Sequence, residues 1–158
     1  MSTTTRRTQT HATFVIEREY AAPVDQVWAA FADAEVKRQW FGADEATDPE
    51  IAEDFRVGGT AINHGTFADG TRSEFRATYT DIVPEERIVY TYDMWLDGVH
   101  ASTSITTVVL EPSGTGTRLT LTEQGVHLDG VHGPGPDAAA GREHGTRELL
   151  EGIAAVLA

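Results

Sequence analysis

The chain has 158 residues, 40% of them hydrophobic and 8% aromatic, which suits one globular domain with one core. Asp and Glu number 25 against 12 Lys and Arg, a formal charge of -13, so a phosphate backbone or an anionic lipid surface is repelled and neither nucleic acid nor membrane is an expected partner. The absence of cysteine excludes disulfides, thiolate nucleophiles, iron–sulfur clusters and most structural zinc sites, and no run approaches a membrane span, so a cytoplasmic location is expected.

Residues 1–12, MSTTTRRTQTHA, are expected to be a flexible tail; the paired arginines lack the hydrophobic segment of an export signal. Residues 13–158 form the expected single domain. FVIEREY over 14–20 alternates as a strand with one buried face, and Pro23 then opens a helix in which Val24, Val27, Trp28 and Phe31 share one side. Asp33 caps a second short helix to about Gln39, ended by Trp40, Phe41 and Gly42. Residues 43–53 are acidic and contain Pro49, which predicts a loop entering an irregular edge strand; an exposed edge near 50–55 can support a homodimer.

Strand signals then recur at short intervals: 60–66 after Gly58-Gly59, 73–83 after Asp69-Gly70, 88–96 after Pro84, 101–110 after Asp97-Gly98, and 117–123 after Pro112-Ser113-Gly114. Such short connections favour an antiparallel meander. Residues 125–136, GVHLDGVHGPGP, predict a loop that can act as a lid. From Asp137 the pattern is helical, with a stripe of Leu149, Leu150, Ile153, Val156 and Leu157; Gly145 and Gly152 each cost such a helix about 1 kcal/mol relative to alanine. The fold class is therefore α+β: an antiparallel sheet of about six or seven strands, two short helices after the first strand, and a long terminal helix against the buried sheet face. The space between that helix and a curved sheet can hold a ligand.

The segments EREYAAPVDQVWAAFAD, VGGT, FADGTRSEF, YTDIVPEERIVYTY, GTRLTLTE and GTRELLEGIAAVL resemble the helix-grip proteins of the START-like (SRPBCC) superfamily. Within it, the likeness is to domains similar to the activator of heat-shock-protein-90 ATPase, often labelled polyketide-cyclase-like. The resemblance implies a curved sheet wrapped around the C-terminal helix. Related domains often carry tryptophan after the glycine of that helix, where this chain has Thr146, and large apolar residues where it has Ala61, Asn63 and Gly65. If these three face inward, the cavity is expected to be wider and more polar than in related domains; a one-residue slip would instead turn Ile62 and His64 inward.

Alternation places Phe75, Ala77 and Tyr79 on one face of their strand and Ile88, Tyr90 and Tyr92 on one face of the next. The expected ligand-binding residues are Asn63, Phe75, Tyr90 and Tyr92 from the strands, Thr146 and Leu150 from the last helix, and Trp40, Phe41 and Trp95 at the mouth or the ends of the core. His11, His64, His100, His127, His132 and His144 show no metal-binding spacing. Ser102 and Ser104 lack a nucleophile turn, Glu143 and His144 point about 100° apart on a helix, and the glycine-rich run lacks the residues of a phosphate loop. No catalytic residue, metal or cofactor is assigned.

The leading expectation is binding of a small, largely apolar or amphipathic molecule, with Tyr90, Tyr92 and Asn63 orienting its polar groups. Two alternatives stay open: a cyclase- or hydratase-type enzyme using a tyrosine or His64 as acid/base in the same cavity, and a co-chaperone-like module that binds a chaperone or regulatory protein.

Overall fold

The computed structural model describes residues 7–42, 47–131 and 135–158. Strand β1 (Gln9–Tyr20) leads into helices α1 (Val24–Ala32) and α2 (Ala34–Lys37). Strands β2 (Thr47–Glu53), β3 (Thr60–Thr66), β4 (Arg72–Val83), β5 (Arg87–Leu96), β6 (Val99–Ser113) and β7 (Gly116–Leu128) follow, and α3 (Gly135–Val156) closes the chain. The sheet order is β1-β7-β6-β5-β4-β3-β2, antiparallel throughout. It is an α+β helix-grip fold in which a curved sheet holds the terminal helix.

Local chemistry accounts for the turns. Asp97 and Gly98 both have positive φ, 51° and 78°, the backbone that a two-residue hairpin matching strand twist requires. Asp33 accepts a hydrogen bond from the backbone N–H of Glu35 and so starts α2 as its sequence predicts. Between β4 and β5 the register shifts after Tyr79, leaving Thr80 as the extra residue of a bulge. Ile82 then pairs with Ile88 and both join the core, although Ile82 falls on the opposite parity to Tyr79.

The core lies between the concave sheet face and the helices. Ile16, Val27, Ala30, Val108, Leu119, Leu150 and Ile153 are almost fully buried, each such aliphatic side chain larger than alanine contributing roughly 1.5–3 kcal/mol. Tyr20 donates its hydroxyl proton to the carbonyl of Leu150 at 2.8 Å, tying β1 to α3. Burial pushes this phenol up to about 12.

Three boundaries differ from the sequence expectation. The strand begins at Gln9, so residues 9–12 are sheet rather than tail, paired with residues 125–128. By the same pairing β7 runs on through Gly125 to Leu128, where a loop was expected. Gly125 faces Ala12 on one side and Ser104 on the other, and this two-sided ladder outweighs the weak strand propensity of the glycine. Helix α3 starts at Gly135, which shortens the expected lid to 129–134; residues 132–134 of it, like 43–46 of the acidic loop and 1–6 of the tail, lie outside the described residues.

Candidate ligand cavity

A cavity of about 430 Å³ lies between the sheet and α3, walled by α1, α2, β3 to β5, β7 and α3. Its apolar lining follows from strand parity. Ala61, Asn63 and Gly65 of β3 face it, as do Phe75, Ala77 and Tyr79 of β4, and Ile88, Tyr90, Tyr92 and Met94 of β5. Small side chains at 61, 65 and 77 leave room for aromatic ones. Ring contacts run unbroken from Phe31 through Trp40, Phe41, Phe75, Tyr92, Tyr90, Tyr79 and Phe55 to Trp28, with centroids 4.9–6.0 Å apart and mostly edge-to-face. Trp40 is fixed by donating its indole N–H to the Ala30 carbonyl at 2.7 Å. Phe67 lines the cavity yet is 38% exposed, which places it on the rim.

Two groups of polar side chains break this lining. In the first, Arg142 projects from α3 onto β5 and β6. Its Nη1 donates to the Tyr92 hydroxyl at 2.8 Å and to Ser104 at 3.4 Å, and Nη2 donates to Ser102 at 2.8 Å. Tyr92 in turn donates to Glu123 Oε1 at 2.7 Å, which also accepts from Thr106 at 2.9 Å. The Arg142 guanidinium lies 5.3 Å from the Tyr92 ring centroid and 3.7 Å from Glu123 Oε2. Gly125 makes room for this arrangement: a Cβ there would stand 2.6 Å from the Ser104 hydroxyl. Burial pushes the Tyr92 and Tyr90 phenols well above their ordinary range, and Glu123 adds to the effect on both. Burial, helped by Arg142, holds His127 below the ordinary imidazole range, so it is neutral at neutral pH.

In the second group, Lys37 of α2 donates to both carboxylate oxygens of Glu53, at 3.1 and 3.3 Å, and to the Tyr79 hydroxyl at 3.1 Å. Tyr79 also donates to Glu53. The Lys37 ammonium sits 4.9 Å from the Phe41 ring centroid. Burial lowers the Lys37 pKa and the Glu53 carboxylate opposes that shift, while burial and the bond to Glu53 raise Tyr79.

Of the residues expected at the site, Trp40, Phe41, Asn63, Phe75, Tyr90, Tyr92, Thr146 and Leu150 lie on the cavity wall, whereas Trp95 does not. Trp95 has the opposite parity to Tyr90, Tyr92 and Met94. Its ring packs against His100 on the outer sheet face, with the Arg76 guanidinium 5.8 Å from its centroid. His64 is likewise outside the cavity, because β3 takes the register that turns Ala61, Asn63 and Gly65 inward. It is buried on the opposite face, with Nδ1 3.5 Å from Glu50 and 4.0 Å from Glu74. The acid/base role considered for His64 in this cavity is therefore withdrawn.

Sequence reasoning missed Arg142, Glu123 and the Lys37–Glu53 pair. A signal existed for two of them: Glu123 has the inward parity of Leu119 and Leu121, and Arg142 stands two turns before Leu149 on the apolar stripe of α3. Among the described residues no cluster of three or more candidate metal ligands forms.

A sheet gripping a terminal helix, with an aromatic cavity between them, defines the helix-grip class of the START-like superfamily. The chain belongs to the Activator of Hsp90 ATPase homolog 1-like protein family, whose model matches residues 21–158. It is similar to the Mll3558 protein of Rhizobium loti, at 45% identity and a TM-score of 0.85, over 94% of this chain and 99% of that one. A protein from Rhizobium leguminosarum is 42% identical with a TM-score of 0.86, over 97% of this chain and 98% of the other. DynU16, from the dynemicin biosynthetic locus, shares the fold at 21% identity and a TM-score of 0.66, over 92% of this chain and 46% of its own. No curated protein matches the chain. Among the described residues no helix is long and apolar enough to cross a membrane.

Proposed function

We propose that this protein binds a small, largely apolar molecule in the cavity between its sheet and α3, in the cytoplasm. The observation that carries this reading is the cavity of about 430 Å³ itself, lined by aromatic and aliphatic side chains and interrupted by a few convergent polar groups. Trp40, Phe41, Phe75 and Leu150 supply apolar contact, while Asn63, Tyr90, Tyr92 and Thr146 supply polar atoms on the same wall. The large exposed apolar residues support this reading over a protein-docking face. Among the described residues they are spread over β1, β2, two connections and β6 as Val15, Ile51, Val57, Phe67, Val99 and Ile105.

A test is native mass spectrometry of gently purified protein, followed by denaturation and identification of what is released. The expected result is a stoichiometric small molecule of mainly apolar surface. Protein that purifies empty, and whose thermal midpoint responds to no member of a library of small apolar compounds, would overturn the proposal.

A further inference from the structure

The charged groups on the cavity wall come in balanced pairs. Among the described residues, those lining the cavity that carry charge are Lys37, Glu123 and Arg142. Lys37 is bonded to Glu53, and Arg142 stands beside Glu123, so each cation has its own carboxylate. These four side chains are at most 19% exposed. The chain as a whole is strongly acidic, so the balance here belongs to the cavity and not to the composition.

The Arg142–Glu123 pair is also not closed on itself. Glu123 Oε1 is saturated by Tyr92 and Thr106, whereas Oε2 stands 3.7 Å from Arg142 Nη1, longer than a hydrogen bond. Arg142 has five N–H donors, and three bonds to Tyr92, Ser102 and Ser104 account for part of them. One patch of wall thus carries a carboxylate oxygen and a guanidinium that still has N–H groups to give.

We infer that this patch selects ligands whose polar end is uncharged and both donates and accepts a hydrogen bond, such as an alcohol or a primary amide. The inference rests on the ligand-binding reading above and names the class of molecule that the site takes. A hydroxyl or amide gives its hydrogen to Glu123 and receives one from Arg142, leaving the ion pair balanced. A carboxylate meets Glu123 at close range and an ammonium meets Arg142, in a site where low polarity magnifies both repulsions. Lys37 does not rescue the carboxylate, because Glu53 already occupies it at 3.1 Å.

The test is isothermal titration near neutral pH with four probes of matched shape: para-butylbenzyl alcohol, para-butylbenzamide, para-butylbenzoate and para-butylbenzylamine. The wild-type protein is expected to bind the alcohol and the amide at least about 10-fold more tightly than the two ions. Glu123→Gln frees Arg142, and the benzoate should then gain at least about 10-fold relative to the alcohol. Arg142→Met frees Glu123 and should shift the preference towards the benzylamine. Circular dichroism establishes that each variant is folded, and the wild-type ranking stands as a test without either. Equal binding of all four probes, tightest binding of the benzoate, or an unchanged ranking in a folded variant would overturn the inference while leaving the cavity a binding site. No heat and no thermal shift with any of the four overturns the inference and, joined to protein that purifies empty and answers to no compound of the library, the binding reading as well.

Discussion

Tyr92 donates to Glu123 and accepts from Arg142, so replacing it with phenylalanine leaves a buried carboxylate and a half-buried guanidinium short of a partner at once. Tyr92→Phe is expected to lower the free energy of unfolding by about 1–3 kcal/mol, measured by urea denaturation. A variant as stable as the parent would mean that the network contributes nothing to the fold. Thr146 makes a different case: it lines the cavity, and its hydroxyl bonds only back to the Arg142 carbonyl of its own helix. Thr146→Trp should therefore fold and place the indole in the cavity, weakening probe binding at least about 10-fold. Undiminished affinity would show that the ligand does not occupy this space. The phenols were legible from alternation alone. The charged residues were not, because parity tells which face a side chain takes and not which helix covers that face. Nothing in the local sequence brings residue 142 to residues 92, 102 and 123.

At the scale of elements, α3 carries the site, and its two internal glycines play different parts. A Cβ on Gly152 would lie 3.5 Å from the Trp40 Cβ, in ordinary van der Waals contact, so the helix packs on the segment after α2 there. A Cβ on Gly145 would meet nothing within 4 Å, and this residue borders the cavity. Gly145→Ala is thus expected to raise stability by roughly 0.5–1 kcal/mol through helix propensity, read as a higher urea midpoint with unchanged slope. A loss of stability would point to a backbone that α3 must keep flexible. Helix α2 is short, yet its Asp33 cap sets the position of Lys37, Trp40 and Phe41, all of which border the cavity. Its start was visible in the sequence. The full length of β7 was not, since Gly125 interrupts the strand pattern and residues 125 to 128 are held in place by β1 and β6.

For the whole molecule, all four tyrosines, Tyr20, Tyr79, Tyr90 and Tyr92, are pushed above the ordinary phenol value of 10.0 by burial. The unfolded chain releases these protons near pH 10, while in the folded one Tyr20 is pushed up to about 12 and the other three phenols are raised as well. Their contribution to stability is complete below about pH 10 and is lost as pH rises through the folded values. Lys37 acts in the opposite sense, because its folded value is lowered below 10.5, but it offsets only until that pH is reached. Phenolate absorbance is therefore expected to appear together with the loss of native circular dichroism. Phenolate formation near pH 10 in a protein that is still folded would contradict the buried placement of these rings. On the acid side His127, held below its ordinary 6.5, adds a loss of stability as pH falls below that value, since the unfolded chain takes up its proton first.

The sequence by itself determined the order and type of the elements and the inward face of β4 and β5, because apolar periodicity, a capping aspartate, Asp-Gly turns and the parity of Tyr90 and Tyr92 are local properties of the chain. Tertiary structure alone decided the register of β3, which turns Asn63 inward and His64 outward, and the joining of β1 to β7, which makes strand of a glycine-bearing segment. It also decided the meeting of Arg142 with Tyr92, Ser102 and Glu123. Each of these depends on which surfaces pack together across the sheet, and the free energy of that packing resides in contacts between residues distant along the chain.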